Sequence, residues 1–106
     1  MNVSNTRKTM ALEFIKGNGR KLAHPSVELR YPLGAPNEYR LHGNVIASFY
    51  PDEGKRTVTF DWCGWYTPTT AARINEILRA MNSGMRVSYA QARDSGAVSF
   101  TAEMQA

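Results

Sequence analysis

Apolar residues recur at the spacing of an amphipathic helix between residues 68 and 82. The predicted buried face is formed by Ala71, Ile74, Ile77, Leu78 and Met81. Thr67 is a suitable N-cap, and Pro68 suits the first helical position, where its missing N–H costs nothing. Gly84 supplies a stop. The opposite face, predicted to meet solvent, is formed by Arg73, Asn75, Glu76 and Arg79.

Strand patterns flank this helix. Residues 41–50 and 57–62 alternate apolar and polar positions, and the turn-forming residues 51–55 between them predict a β-hairpin. A second hairpin is predicted after the helix, formed by Val87 and Tyr89, a turn at 93–96, and then Val98 and Phe100.

The first third of the chain has weaker signals. Residues 9–15 fit a helix, because apolar residues lie four apart, but they also alternate as a strand would. We favour the strand, with a turn at 17–19 after it. Residues 22–38 contain three prolines and are predicted to be irregular apart from an extended piece at 27–29.

Together these elements predict an α+β domain, in which an antiparallel sheet of about four to five strands carries one main α-helix on one face. The 106 residues fit a single domain, with residues 1–8 expected to form a flexible N-terminal arm. The predicted core comprises Leu41, Val45, Phe49, Val58, Phe60, Trp62, Ile74, Leu78, Val87 and Phe100.

Composition narrows the class of protein. A hydrophobic fraction of 42% is typical of a folded chain. No apolar run approaches the roughly 18 residues of a membrane span, and none has the form of a signal peptide, so no membrane partner is expected. The lone cysteine, Cys63, excludes an internal disulfide. These features predict a cytoplasmic protein.

The net charge of +4 is concentrated near the N-terminus. Residues 1–40 hold seven basic side chains against three acidic ones, whereas residues 41–106 hold six of each. Such a gradient is expected of a face that binds a polyanion, and the alternative is a solvated basic edge that only keeps a small protein soluble. The candidate nucleic-acid contacts are Arg7, Lys8, Lys16, Arg20, Lys21 and Arg30.

Four aromatic residues are candidates for an interface. Trp65 and Tyr66 lie on the connection before the helix, where an aromatic side chain can stack on a base or anchor a protein partner. Either could instead pack over the helix N-terminus. Tyr31 and Tyr39 flank the proline-rich stretch beside arginines and are compatible with both kinds of interface.

Candidate catalytic chemistry is sparse. Cys63 could pair with His42 or His24, but its place at a strand end is typical of a buried structural thiol. One cysteine and two distant histidines give no zinc-ligand spacing. We therefore expect no enzyme, no cofactor and no metal.

The sequences RLHGNVIA at residues 40–47, GWYTPTT at 64–70 and RIN at 73–75 together resemble a pattern found in small uncharacterised bacteriophage proteins. There, an LHGNxIA strand precedes a GWxTxTTxxR(L/I)N helix start. The resemblance implies a phage-encoded protein that acts in a bacterial cytoplasm on host machinery or nucleic acid, and it transfers no catalytic residue.

Two functions follow as hypotheses. The first is a small non-enzymatic protein that binds nucleic acid through its basic N-terminal face. The second is a protein-interaction module, an inhibitor or adaptor, that acts on a host or anti-phage defence protein. A homodimer is compatible with both, because small cores often gain stability by pairing.

Overall fold

The computed structural model describes residues 7–17, 24–50 and 57–104. Its elements in chain order are α1 (Arg7–Lys16), β1 (Val27–Arg30), β2 (Asn37–Leu41), β3 (Asn44–Phe49), β4 (Thr57–Asp61), α2 (Pro68–Ala80), α3 (Tyr89–Ser95) and β5 (Ser99–Glu103). The strands form one sheet in the order β1-β2-β3-β4-β5, and each strand is antiparallel to its neighbours. The predicted α+β class is confirmed.

Helix α1 replaces the strand predicted for residues 9–15. Its apolar side chains bury one helical face, formed by Met10, Ala11, Phe14 and Ile15. Leu12, which a strand would bury together with Met10 and Phe14, is 41% exposed. The helical interpretation of this ambiguous segment was therefore the correct one. Arg7 and Lys8, assigned to the N-terminal arm, begin this helix, and residues 1–6 lie outside the described residues.

Helices α1 and α2 pack against each other, and α1 also contacts β1 and β2. The ring of Phe14 meets Tyr39 and Phe49 edge-on, with centroid distances of 5.7 and 5.0 Å. Buried residues of these helices and of the sheet belong to one core. The helical layer thus contains two helices side by side, where the sequence pattern predicted one main helix.

A tight turn divides the single strand predicted at residues 41–50. Strand β2 ends at Leu41 and β3 begins at Asn44, and the two residues between them, His42 and Gly43, have φ angles of 50° and 84°. Two successive positive φ angles are typical of a type I′ hairpin turn, whose twist matches that of the strands. Histidine is not a usual residue for this turn, which is why the pattern concealed it.

A β-bulge follows within the same hairpin. Tyr39 pairs with Ala47, but Arg40 pairs with Val45, so β3 carries one extra residue, Ile46. Because of this extra residue, Ile46 and Ala47 are both buried, whereas Val45, predicted to be in the core, is only partly buried.

The hairpin of β3 and β4 is confirmed, with Ala47 opposite Phe60 and Ser48 opposite Thr59. The predicted turn at 51–55 lies outside the described residues, as does most of the turn predicted at 17–19. The extended piece at 27–29 is confirmed as part of β1, and the end of the segment predicted to be irregular belongs to β2.

Helix α2 begins where the sequence predicts. The side-chain oxygen of Thr67 accepts a hydrogen bond from the Thr70 backbone N–H at 3.2 Å, and Pro68 occupies the first turn. The predicted apolar face is buried in full. Arg73, predicted to face solvent, is only 4% exposed, and its Nε donates to Glu76 Oε1 at 2.9 Å.

The prediction of a second hairpin after α2 is wrong. Residues 89–95 form α3, whose N-cap Ser88 accepts from the Gln91 N–H at 3.4 Å and whose C-cap Gly96 is left-handed, with a φ of 72°. In the sequence, these helix signals overlap with the pattern of a strand followed by a turn. Strand β5 pairs instead with β4, and the Phe100 ring stacks on Phe60 with a centroid distance of 4.9 Å. Phe100 and Val87 are only partly buried.

Candidate binding cleft

A cleft of about 400 Å³ lies between the β2–β3 turn and the N-terminus of α2. Its lining residues are Leu41, His42, Asn44, Ile46, Trp65, Thr67, Thr69 and Thr70. Leu41, Ile46 and Trp65 make part of the wall apolar, while the threonines contribute hydroxyl groups. Among the residues that the structure describes, no lysine, arginine, aspartate or glutamate lines it. The two sequence segments at 40–47 and 64–70, which lie far apart in the chain, therefore meet at this cleft.

Two tight turns hold the walls of the cleft. One is the His42-Gly43 turn, where the His42 N–H donates to the Ser26 carbonyl at 2.9 Å. The other follows β4, where Cys63 and Gly64 also have successive positive φ angles, of 54° and 77°. The chain after Gly64 stays compact, because the Trp65 N–H donates to the Trp62 carbonyl at 2.8 Å. One wall is thus tied by a hydrogen bond to the segment before β1, and the other is hydrogen-bonded within itself.

Trp65 and Tyr66 have different roles in this structure. Tyr66 is half-buried; its ring stacks on Trp62 at a centroid distance of 5.6 Å, and its hydroxyl donates to the Ala97 carbonyl. Tyr66 therefore stabilises the core above the start of α2. Trp65 is 58% exposed and lines the cleft. Of this adjacent pair, Trp65 is the residue that can contact a partner.

The other two aromatic candidates do not reach this cleft. Tyr39 is fully buried and packs edge-on against Phe14, so a partner at the surface cannot contact it. Its place follows from the alternation of β2, which turns Asn37, Tyr39 and Leu41 towards the helices. Tyr31 is half-buried, and burial raises the pKa of its hydroxyl, with the Glu13 carboxylate adding to the effect.

Of the predicted nucleic-acid contacts, two have described side chains, and both are paired with carboxylates. Lys16 Nζ lies 3.3 Å from Glu13 Oε2, and Arg30 Nε lies 3.0 Å from Glu28 Oε2. Arg7 and Lys8 belong to the first turn of α1, and residues 20 and 21 lie outside the described residues. The structure therefore does not show these six residues converging on one surface.

Sequence reasoning overlooked two other arginines. Arg79 and Arg86 are exposed and line a second cleft, of about 260 Å³, at the C-terminal end of α2. Within the described ranges neither takes part in an ion pair. Both lie in the part of the sequence where positive and negative charges balance, so the charge gradient gave no signal for them.

Cys63 has the surroundings of a structural thiol. Its backbone N–H donates to the Asp61 carboxylate at 2.7 Å, and its Sγ–H donates to the Val45 carbonyl at 3.3 Å. Burial raises the pKa of the Cys63 thiol, and the nearby negative charge of Asp61 raises it further. The thiolate, which is the nucleophilic form, is therefore disfavoured.

We expect Cys63 to react slowly with an alkylating or disulfide reagent. At pH 8 the folded protein should react roughly tenfold more slowly than the same protein in urea, because less of the thiol is ionised and its surface is partly covered. The folded state should also lose some stability as the pH rises through the pKa of the unfolded thiol, because only the unfolded chain then ionises freely. Absorbance with a thiol-exchange dye measures the rate. Equal rates in both states would contradict the structural role.

Neither a metal site nor a membrane span is present in the described ranges. No three side chains of histidine, cysteine, aspartate or glutamate come together there to hold an ion. No helix in those ranges has the length and apolar character needed to cross a bilayer.

Comparison with known proteins identifies one family. The family model described as Kyanoviridae Gp96 protein matches residues 4–95, a range that contains both segments lining the cleft. Neither the curated proteins nor the solved structures provide a match to this chain.

Proposed function

The chain belongs to the Kyanoviridae Gp96 family of phage proteins, and from the geometry of its cleft we propose that it is a non-enzymatic module that docks a host protein in the bacterial cytoplasm. The observation that carries this proposal is the exposed Trp65 beside an uncharged, partly apolar cleft. A tryptophan with this exposure is among the residues most often found at the energetic centre of protein interfaces.

The chemistry of the cleft indicates what it would accept. The exposed Trp65 ring offers apolar contact above the nearly buried Leu41 and Ile46. The Thr67 and Thr70 hydroxyls already hydrogen-bond each other at 3.1 Å, so the exposed Thr69 is the threonine that offers a hydroxyl to a partner. A volume of about 400 Å³ is enough for one bulky side chain and its adjacent backbone. A charged side chain would lose its hydration there without meeting an opposite charge. We therefore propose that the partner presents an uncharged apolar side chain on an exposed segment.

Nucleic-acid binding is the competing function, and the N-terminal charge surplus supports it. Lys16 and Arg30 support it less, because each is already paired with a carboxylate and would have to exchange that partner for a phosphate. Binding of this kind should weaken steeply with salt, since counterions are released from the phosphates.

Affinity capture from a lysate of the host bacterium, with and without nuclease, separates the two functions. The decisive variant is Trp65→Ala, and Tyr50→Ala is its matched control, because Tyr50 is similarly exposed at 51% but follows the far end of β3. We expect a nuclease-resistant partner whose purified form binds Trp65→Ala at least about tenfold more weakly than the control.

Two results would overturn the docking proposal. In one, every captured protein is retained equally by the wild type and by Trp65→Ala. In the other, capture disappears with nuclease, and direct titration then shows salt-dependent binding of single- or double-stranded nucleic acid that Trp65→Ala does not change.

A further inference from the structure

Strand β5 lies at one edge of the sheet. One side of β5 pairs with β4, and in the described part of the chain no strand pairs with its outer side. Strand edges of this kind are templates for further pairing, and natural proteins usually protect them with proline, lysine or a bulge. Strand β5, with the sequence SFTAE, contains neither proline nor lysine, and its register with β4 is regular.

The opposite edge of the sheet is better protected. Strand β1 is bracketed by Pro25 and Pro32, which cannot donate a backbone hydrogen bond. Its two outward side chains, Glu28 and Arg30, are both charged and exposed. The contrast makes β5 the edge that is open to pairing.

The hydrogen-bond pattern identifies which backbone groups of β5 are free to pair. The Trp62 N–H donates to the Val98 carbonyl at 3.0 Å, so Trp62 and Val98 form a hydrogen-bonded pair. In an antiparallel ladder such pairs alternate, so Phe100 and Ala102 also bond towards β4. The backbone N–H and C=O groups of Ser99, Thr101 and Glu103 therefore point away from β4, towards the open edge.

We propose that this edge pairs with the same edge of a second copy of the chain, antiparallel and with the two-fold axis at Thr101. The two five-stranded sheets then become one continuous sheet. On the solvent face of the sheet, Thr101 meets Thr101 of the other copy, and Ser99 meets Glu103. This register uses all three residues with outward-pointing backbone groups and places no two like charges opposite each other.

The same register brings apolar side chains together on the inner face. Phe100 lies opposite Ala102 of the other copy, and Val98 lies opposite Met104. Val98 is 65% exposed in the single chain, and Phe100 and Met104 are only partly covered. The pairing therefore covers apolar surface that a single copy exposes to water. A sheet edge that is protected against pairing would not expose such surface.

Sedimentation velocity across about 5 to 500 µM tests this dimer, a range suited to a small interface. The wild type should shift from one to two chain masses over that range. Thr101→Pro removes an outward N–H that β4 does not use, and it should weaken pairing by at least about tenfold. Thr101→Val keeps the N–H and the β-branched shape and should dimerise like the wild type.

Two further measurements distinguish a loss of pairing from misfolding of the variant. Thr101→Lys, whose side chain points to solvent, places two cations at the two-fold axis and should weaken pairing in a salt-dependent way. In the wild type, amide exchange at Ser99, Thr101 and Glu103 should slow as concentration rises, with Phe100 and Ala102 as unchanging references.

A wild type that stays monomeric throughout the range would overturn the proposal. So would a dimer that Thr101→Pro and Thr101→Lys leave intact, because a different surface would then hold the two copies. This outcome is separable from the docking function, since Trp65→Ala is expected to dimerise normally.

Discussion

Replacing Trp62 by alanine is expected to destabilise the protein by about 3–5 kcal/mol, the range for removing a large buried aromatic side chain. Trp62 is only 1% exposed and is the largest fully buried side chain among the described residues. It also supports Tyr66, whose ring stacks on it at 5.6 Å. Because a domain of this size has a total stability of only about 5–15 kcal/mol, this variant should lose a large part of it.

Urea denaturation followed by circular dichroism measures this loss, and the neighbouring tryptophan supplies a matched control. Trp65→Ala removes the same side chain from a site that is 58% exposed, and its effect on stability should stay within about 0.5 kcal/mol. The predicted difference between the two tryptophans is thus several kcal/mol. Similar losses in both variants would show that Trp65 is part of the core, and would also weaken the docking proposal.

The second large effect concerns the ion pair inside α2. Arg73 Nε lies 2.9 Å from Glu76 Oε1, and the Arg73 side chain is 5% exposed against 28% for Glu76. Glu76→Ala leaves a buried guanidinium without its carboxylate and is expected to cost about 3 kcal/mol. Arg73→Met removes the buried charge itself and fills a similar volume, so it should cost less than about 1 kcal/mol.

The double variant Arg73→Met/Glu76→Ala makes the test decisive. Once the buried cation is gone, loss of the carboxylate no longer leaves it unpaired, so the double variant should be more stable than Glu76→Ala alone. Thermal and urea unfolding of all four proteins measure the coupling. If the single changes simply add, the pair does not stabilise the core as its geometry indicates.

The amphipathic patterns predicted the middle of the fold well. Helix α2 and the β3–β4 hairpin follow from local signals that act alone: a cap, a proline in the first turn, and two alternating runs around a turn. The errors fall where two local signals compete. In α1 the four-residue spacing and the alternation share Met10 and Phe14, and packing against α2 and the sheet decides between them. In α3 a cap and a C-terminal glycine outweigh the aromatic Tyr89, and the β-branched Val87 lies before the helix.

The candidate site was only partly predictable from the sequence. The sequence indicates Trp65 and Tyr66 as candidates for an interface, but local sequence alone does not show that Trp65 faces solvent while Tyr66 packs on Trp62. The partner segment of the cleft, around His42, was read as the middle of a strand, because a histidine–glycine turn lacks the usual asparagine or aspartate. The convergence of residues 40–47 and 64–70 is a tertiary feature that no spacing along the chain reveals.

The bulge in β3 has a consequence for how such a site can arise and disappear. Strict alternation with Ala47 would turn Ile46 to the outer face of the sheet, and the one extra residue instead places it among the side chains that line the cleft. Loss of a single codon at this point would restore a regular register, but it would remove Ile46, which is 1% exposed and belongs to the core as well as lining the cleft. Binding and folding therefore depend on the same residue at this point of the strand, so a lineage that lost this part of its cleft would also lose stability.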